Sequence, residues 1–215
     1  MIIKKFEIEE RDITYYVGIN QMKIDPKLFT LSRFFRIIEE NKNNDFVLQI
    51  FNNKHVLNSE HVFNACYFLQ KAFLNNNNIS NKKNIELLLY LATNRQIKIA
   101  IQDFGINEEQ FNKGLINSCM ISSKDNLDPI NSEIEKSLKA NRLKLTIDNY
   151  SLKKYERVKK YFNFSDNQIH SILNSYSIKV NAKIRDKDIP VLYLALNDLI
   201  CERMTLLSLE RVTLD

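Results

Sequence analysis

"LLLYLATNRQIKIAIQDFGI", residues 87–106, decides how this chain is read. An apolar run stops at Thr93-Asn94-Arg95-Gln96, resumes, and ends at Gly105. Thr93 and Gln96 fit a T-x-x-Q capping box, in which the Thr hydroxyl takes the Gln amide and the Gln side chain reaches back. Ile97, Ala100, Ile101 and Phe104 then follow with helical spacing. Gly105 suits the left-handed residue that closes a helix, with Ile106 as its hydrophobic partner. "QIKIAIQ" also alternates like a strand, but a start signal and a stop signal agree on a helix. Together with "IELLLYLA" before it, the stretch predicts two helices joined by a polar corner.

Arg95 is the residue this account leaves over. At the first helical position a cation meets the positive end of the helix dipole, a placement unfavourable by about 0.3–1 kcal/mol at most. A bound anion would remove the conflict, with free amides, Arg95 and Lys98 forming a phosphate site. The plain alternative is that the side chain bends into water.

Outward from the corner, the other elements follow from periodicity and caps. "KKFEIEE" alternates as a short first strand, and Asp25-Pro26 is placed to open a helix carrying Leu28, Leu31, Phe34, Phe35 and Ile38. "DFVLQIF" (45–51) reads as a buried strand. Asn58 or Ser59 caps a helix whose inner face is Val62, Ala65, Cys66, Leu69 and Phe73. "NNNNISNKKN" (75–84) is a polar loop. "GLINSCMIS" predicts a strand, "NSEIEKSLKA" a short helix and "RLKLTI" another strand. "SLKKYERVKKYF" is amphipathic, with Leu152, Tyr155, Val158 and Phe162 inward and Lys153, Arg157 and Lys160 outward. Ser165 or Asp166 caps a further helix ending near Tyr176, and "IKVNAKIRDKD" is strand or loop. Asp188 with Pro190 opens a last helix to about Glu210. Its apolar residues cover more of its circumference than a one-sided surface helix needs, so it is wedged between layers or meets another protein.

Composition agrees with a globular chain. Of 215 residues, 44% are hydrophobic, with thirteen Phe and nine Tyr, so a sizeable core forms and disorder is excluded for most of the chain. Three Gly and three Pro are too few for a turn-dense sandwich or barrel. The expected fold is α/β (mixed α+β): helices on a mixed sheet, one domain over residues 1–215, with an extended C-terminal half ending in a long helix. Residues 136–187 hold 13 Lys/Arg against 4 Asp/Glu, while the rest holds 18 against 22. The back half therefore carries a basic segment, and the remainder is slightly acidic. Such a zone suits a polyanionic partner, or is a solvated lysine-rich surface.

Catalytic signals are missing. Three scattered glycines cannot make a phosphate-cradling loop. His55, His61 and His170 have no metal-ligand spacing, and Cys66, Cys119 and Cys201 form neither a CxxC nor a disulfide framework. No cofactor or metal is expected. The Glu9-Glu10, Glu39-Glu40 and Glu108-Glu109 pairs read as solvated faces. "MIIKKFEIEE" is too short and charged for a signal peptide, and no apolar run reaches the roughly 18 residues of a membrane span. A cytoplasmic protein without membrane contact is expected.

"NKHVLNSEHVFNACYFLQKAF" followed by "NIELLLYLATNRQIKIAIQDFGI" resembles the kinase-binding subunit of the KEOPS complex (the CGI-121-like family). Ser59, Glu60, His61, Ala65, Glu86, Gln96, Ile97, Ala100, Phe104 and Gly105 fall on that family's pattern. "LALNDLICERMTLLSLE" is similar to its last helix. Residues 45–111 match well and 188–210 loosely; residues 122–187 match weakly and are longer than the family's compact core, so the resemblance implies a basic insertion or extension there. The family usually carries glycine or another small residue where Thr93 and Asn94 stand.

The resemblance implies a non-catalytic accessory subunit. It would bind the complex's atypical kinase/ATPase directly and its threonylcarbamoyltransferase subunit indirectly. It would hold tRNA by the 3′ CCA end for N6-threonylcarbamoyladenosine modification beside the anticodon. Single-stranded ends are gripped by basic groups, stacking aromatics and side-chain amides. Candidates for that role are Lys54, His55, Tyr90, Asn94, Arg95, Gln96 and Lys98. Gln96 sits on a family position, and the others rest on local chemistry. For the kinase interface the candidates are Leu199, Arg203, Met204 and Leu207, with burial inside the fold as the rival explanation. The alternatives are a regulatory subunit of the kinase without RNA contact, and an enzyme using His55 or His61.

Overall fold

The structure is a computed structural model and describes residues 1–40, 46–180 and 185–209. Its centre is a strand that periodicity alone passes over. β1 (Ile2–Ile8) turns through a short 3-10 segment into β2 (Ile13–Lys23), and helix α1 (Leu31–Glu40) follows. β3 (Phe46–Phe51) leads to α2 (Ser59–Leu74), α3 (Lys83–Ala92), α4 (Ile97–Phe104) and α5 (Glu108–Asn112). β4 (Leu115–Ser122), α6 (Leu127–Ser137) and the three-residue β5 (Asn141–Leu143) come next. The chain ends in α7 (Leu152–Tyr161), α8 (Asp166–Ser175) and α9 (Ile189–Leu209).

The strand order is β1-β2-β4-β3, with β5 beside β2, and every pair is antiparallel. Helices on a sheet are as expected; the sheet is antiparallel throughout rather than mixed. Side chains alternate across it. Tyr15, Val17 and Ile19 of β2 with Cys119 and Ile121 of β4 join a large core with α2, α3, α4, α7, α8 and α9. Met22, Leu48, Ile50, Ile116 and Met120 face a smaller core with α1, α5 and α6. Both faces of β2 are thus covered. Its sequence "ITYYVGINQMK" does not show the clean polar alternation of a half-exposed strand.

Two cap readings hold directly. Asn58 accepts the His61 amide, and Ser165 forms a reciprocal box with Gln168. Two change. Asp25 and Pro26 make a turn, and α1 starts later, where the Thr30 hydroxyl accepts the Arg33 amide. Leu28 and Phe35 are consequently exposed, and Phe34, Ile37 and Ile38 form the inner face. "RLKLTI" contributes only β5, an exposed edge. Residues 178–180 form no strand, and 181–184, Asp45 and Glu210 lie outside the described residues.

Residues 122–180 are built into the same domain. β5 pairs β2, and Tyr155, Val158, Phe162, Phe164, Ile169 and Leu173 enter the large core. Polar bonds also tie the region in. Asn20 donates to Asn131 and Glu135, Gln21 pairs with Asn117 and Thr146, and the Ser59 amide donates to Asp148.

Candidate nucleic-acid interface

The corner at Thr93–Gln96 is a helix stop before it is a helix start. The Thr93 amide donates to Tyr90 O and the Asn94 amide to Leu89 O, which is the Schellman pattern. Thr93 takes the left-handed conformation (φ 45) that the sequence assigns to Gly105. Gly105 itself is extended. Its small size answers a different need, because a Cβ there would lie 2.4 Å from Ile101 O. Thr93 and Gln96 make no capping box; Gln96 is the N-cap of α4 without a side-chain cap bond. Instead the Asn94 carboxamide oxygen accepts the Gln96 amide at 2.8 Å.

This geometry also disposes of the Arg95 conflict. α4 begins at Ile97, so Arg95 precedes the helix. Its guanidinium donates to Leu207 O in the last turn of α9, the negative end of that helix dipole. Gln96 and Lys98 are exposed beside it, and Ile97 and Ile101 are 42% and 45% exposed rather than inward.

The loop after β3 approaches the same corner through α4 and α7. The Asn52 amide donates to Phe104 O, and its side chain accepts the Lys54 amide. His55 stacks on Tyr161 at 4.1 Å between centroids, and the Tyr161 hydroxyl donates to Asp103 at 2.9 Å. Burial, helped by the nearby Lys54 charge, lowers the His55 pKa to about 4. The ring is therefore neutral at pH 7, an apolar plate with a polar edge. Arg157 donates to Lys54 O at 2.8 Å.

Two open clefts flank this assembly. One, of about 250 Å³, is lined by Thr93, Asn94, Asp103, Tyr161, Phe162 and Arg203, among others. The other, of about 430 Å³, has Lys54, Lys113 and Arg157 on its wall with Glu109 and Gln110. Lys113 is paired with Glu109 at 2.8 Å, so Lys54 and Arg157 carry the outward positive charge there.

Lys54, His55, Asn94, Gln96 and Lys98 thus lie on the surface around the corner. Tyr90 does not join them. It is 1% exposed, stacks on Phe68, and bonds Ser208 through its hydroxyl, so no base reaches its ring. Of the kinase candidates, Leu199, Met204 and Leu207 are buried in the chain's own core, the burial that was the rival explanation. Arg203 lies over the Phe164 ring at 4.3 Å and lines the smaller cleft. Asp103, Tyr161 and Arg157 were not singled out as site residues. The i, i+4 spacing of Arg157 and Tyr161 on α7 was the available signal.

His61 is a hydrogen-bonding histidine. It is fully buried; the Leu57 amide donates to Nδ1 at 3.2 Å, which leaves Nε2 to donate to Leu91 O at 3.1 Å. Burial lowers its pKa to about 3. Nε2 joins α2 to α3, and Nδ1 holds the loop that leads into α2. Glu86, also buried, accepts the Ile79 and Ser80 amides and holds the 75–82 loop. Cys66 and Cys119 lie side by side in the core as free thiols. Among the described residues no cluster of His, Cys, Asp and Glu could hold a metal ion, and no helix is long and apolar enough to cross a membrane.

The family model described as kinase binding protein CGI-121 matches residues 30–207, a span that includes 122–187. No curated protein matches the chain.

Proposed function

This chain belongs to the family of the kinase binding protein CGI-121, and on that premise we propose that it is the non-catalytic, kinase-binding accessory subunit of a KEOPS complex. In this role it binds the complex's atypical kinase/ATPase directly and meets the threonylcarbamoyltransferase subunit within the same assembly. It recruits tRNA by the 3′ CCA end for N6-threonylcarbamoyladenosine modification beside the anticodon, in the cytoplasm.

The observation that supports the tRNA role is the grouping at the α3–α4 corner. A neutral His55 plate on Tyr161 sits beside the Lys54 and Arg157 cations and near the Asn94 amide. These are the groups a single-stranded end needs: stacking surface, phosphate charge and base-edge donors. For the kinase contact, Leu206 of α9 is 51% exposed, three residues from Arg203, which lies over Phe164 and lines the smaller cleft.

The test compares binding of intact tRNA and of tRNA lacking its CCA end. Intact tRNA is expected to bind more tightly, with affinity falling as salt rises. Equal binding would sink the 3′-end reading. Lys54→Ala with Arg157→Ala should weaken tRNA binding and reduce its salt dependence. Capture of the kinase tests the other half separately.

A second reading, a regulatory subunit without RNA contact, is favoured by one observation. Tyr90 and Arg95 are both engaged by α9. Unchanged tRNA affinity in the Lys54/Arg157 double variant, with kinase capture intact, would select it.

A further inference from the structure

β3 lies at one edge of the sheet, and among the described residues it pairs with β4 alone. The main-chain amide and carbonyl of one strand residue point to the same side, and they alternate along the strand. Just past β3, the Asn52 amide donates to Phe104 O, away from β4. The Ile50 carbonyl accepts the Gln49 side-chain amide on that same side. By the two-residue period, the amides of Leu48 and Ile50 and the carbonyl of Leu48 also face away from β4. These groups open into a groove of about 200 Å³. Its walls come from both faces of the sheet: Phe35 and Ile38 of α1 on one, Ile85 and Leu88 of α3 with Ile101 of α4 on the other. Phe35 and Ile101 are 37% and 45% exposed at the rim.

Edges of this kind are normally guarded by charge, proline or a bulge. β1, on the other side of the sheet, is guarded: Lys4 pairs with Glu60, and Lys5 with Glu7. "FVLQIF" has no charge and no proline.

We propose that this groove takes an extended segment of a partner protein, which adds to the sheet as a strand beside β3. A helix satisfies its own backbone and would leave the Leu48 and Ile50 groups unmatched. An extended chain supplies the missing donors and acceptors. Its side chains are apolar on both faces, because one set must rest against Phe35 and the other against Ile101. The added strand stops opposite Ile50, since the Asn52–Phe104 bond closes the edge there. The site is separate from the α3–α4 corner and does not depend on RNA binding.

The test uses the full chain and a short peptide of valine and isoleucine kept soluble by terminal lysines. Amide exchange is followed residue by residue. The expected result is slowed exchange at Leu48 and Ile50 on adding peptide, and no slowing with the same peptide N-methylated at alternate residues. Phe35→Lys and Ile101→Lys change exposed positions, so the chain should fold normally and lose peptide affinity by about tenfold or more. Equal binding of the N-methylated peptide would overturn strand addition. So would a lack of protection at Leu48 and Ile50. Protection that grows with protein concentration and without peptide would show that a second copy fills the groove, and would overturn the partner assignment.

Discussion

In α9, Leu192, Leu196, Leu199, Met204 and Leu207 are no more than 5% exposed, whereas α4 leaves Ile97 and Ile101 at 42% and 45%. Both helices read as apolar in the sequence. The difference lies in what surrounds them. α9 is packed by α2, α7 and α8, which cover most of its wide apolar arc. α4 rests mainly on α3, and its inner face is satisfied by Ala100 and Phe104 alone. An apolar residue count therefore does not say which residues of a helix are offered as surface. α9 buries most of its apolar residues and exposes Leu194, Leu206 and Leu209, whereas the shorter α4 buries Ala100 and Phe104 and exposes Ile97 and Ile101.

The strongest way to break this contrast is Leu196→Ala in α9. The cavity should cost about 2–5 kcal/mol in denaturant unfolding. A loss below about 1 kcal/mol would mean that α9 is not inserted as described.

The underside of α4 supplies the next test, because His61 lies against Phe104 there. Its folded pKa of about 3 is below the ordinary 6.5. Between those values the unfolded chain binds a proton that the native chain does not. Stability should fall as pH drops from about 6.5 towards 3, by an amount on the order of a few kcal/mol. Melting temperatures of the native chain and His61→Gln across that window check the sign. An equal decline in both would remove His61 as the cause.

Arg95 joins the start of α4 to the end of α9. Arg95→Ala should cost about 0.3–1 kcal/mol, the scale of a cation at a helix C-terminus. High salt should shrink that difference. The smallest effect is expected from Ile101→Lys, within about 0.5 kcal/mol of the native stability. A loss of several kcal/mol would show that the outer face of α4 is buried in solution.

The corner was legible in part. The α3 and α4 helices, the break between them and the need for glycine at 105 all follow from local pattern. The reasons behind them differ from the pattern's suggestion. Thr93, not Gly105, takes the left-handed conformation, and Gly105 is needed because the Ile101 carbonyl comes too close for a Cβ. The reciprocal box expected at Thr93–Gln96 occurs one helix later, at Asn107–Gln110. β2 escaped because a strand buried on both faces has no polar side to mark its period. Of the surface grouping, Lys54, His55 and Asn94 could be read from local chemistry. Tyr161 and Arg157 could not be placed beside them, because more than a hundred residues of chain intervene between His55 and Tyr161.

By itself the sequence determined most of the periodic elements, some of their caps, the mixed α and β character and the family. Those depend on neighbours a few residues apart and on the order of short motifs. Only the tertiary structure decided which apolar faces are spent inside. It also placed Tyr90 and Arg95 against α9, set His55 on Tyr161 and left the β3 edge open. Each of these is a contact between distant segments, and its outcome depends on what else competes for the same surface.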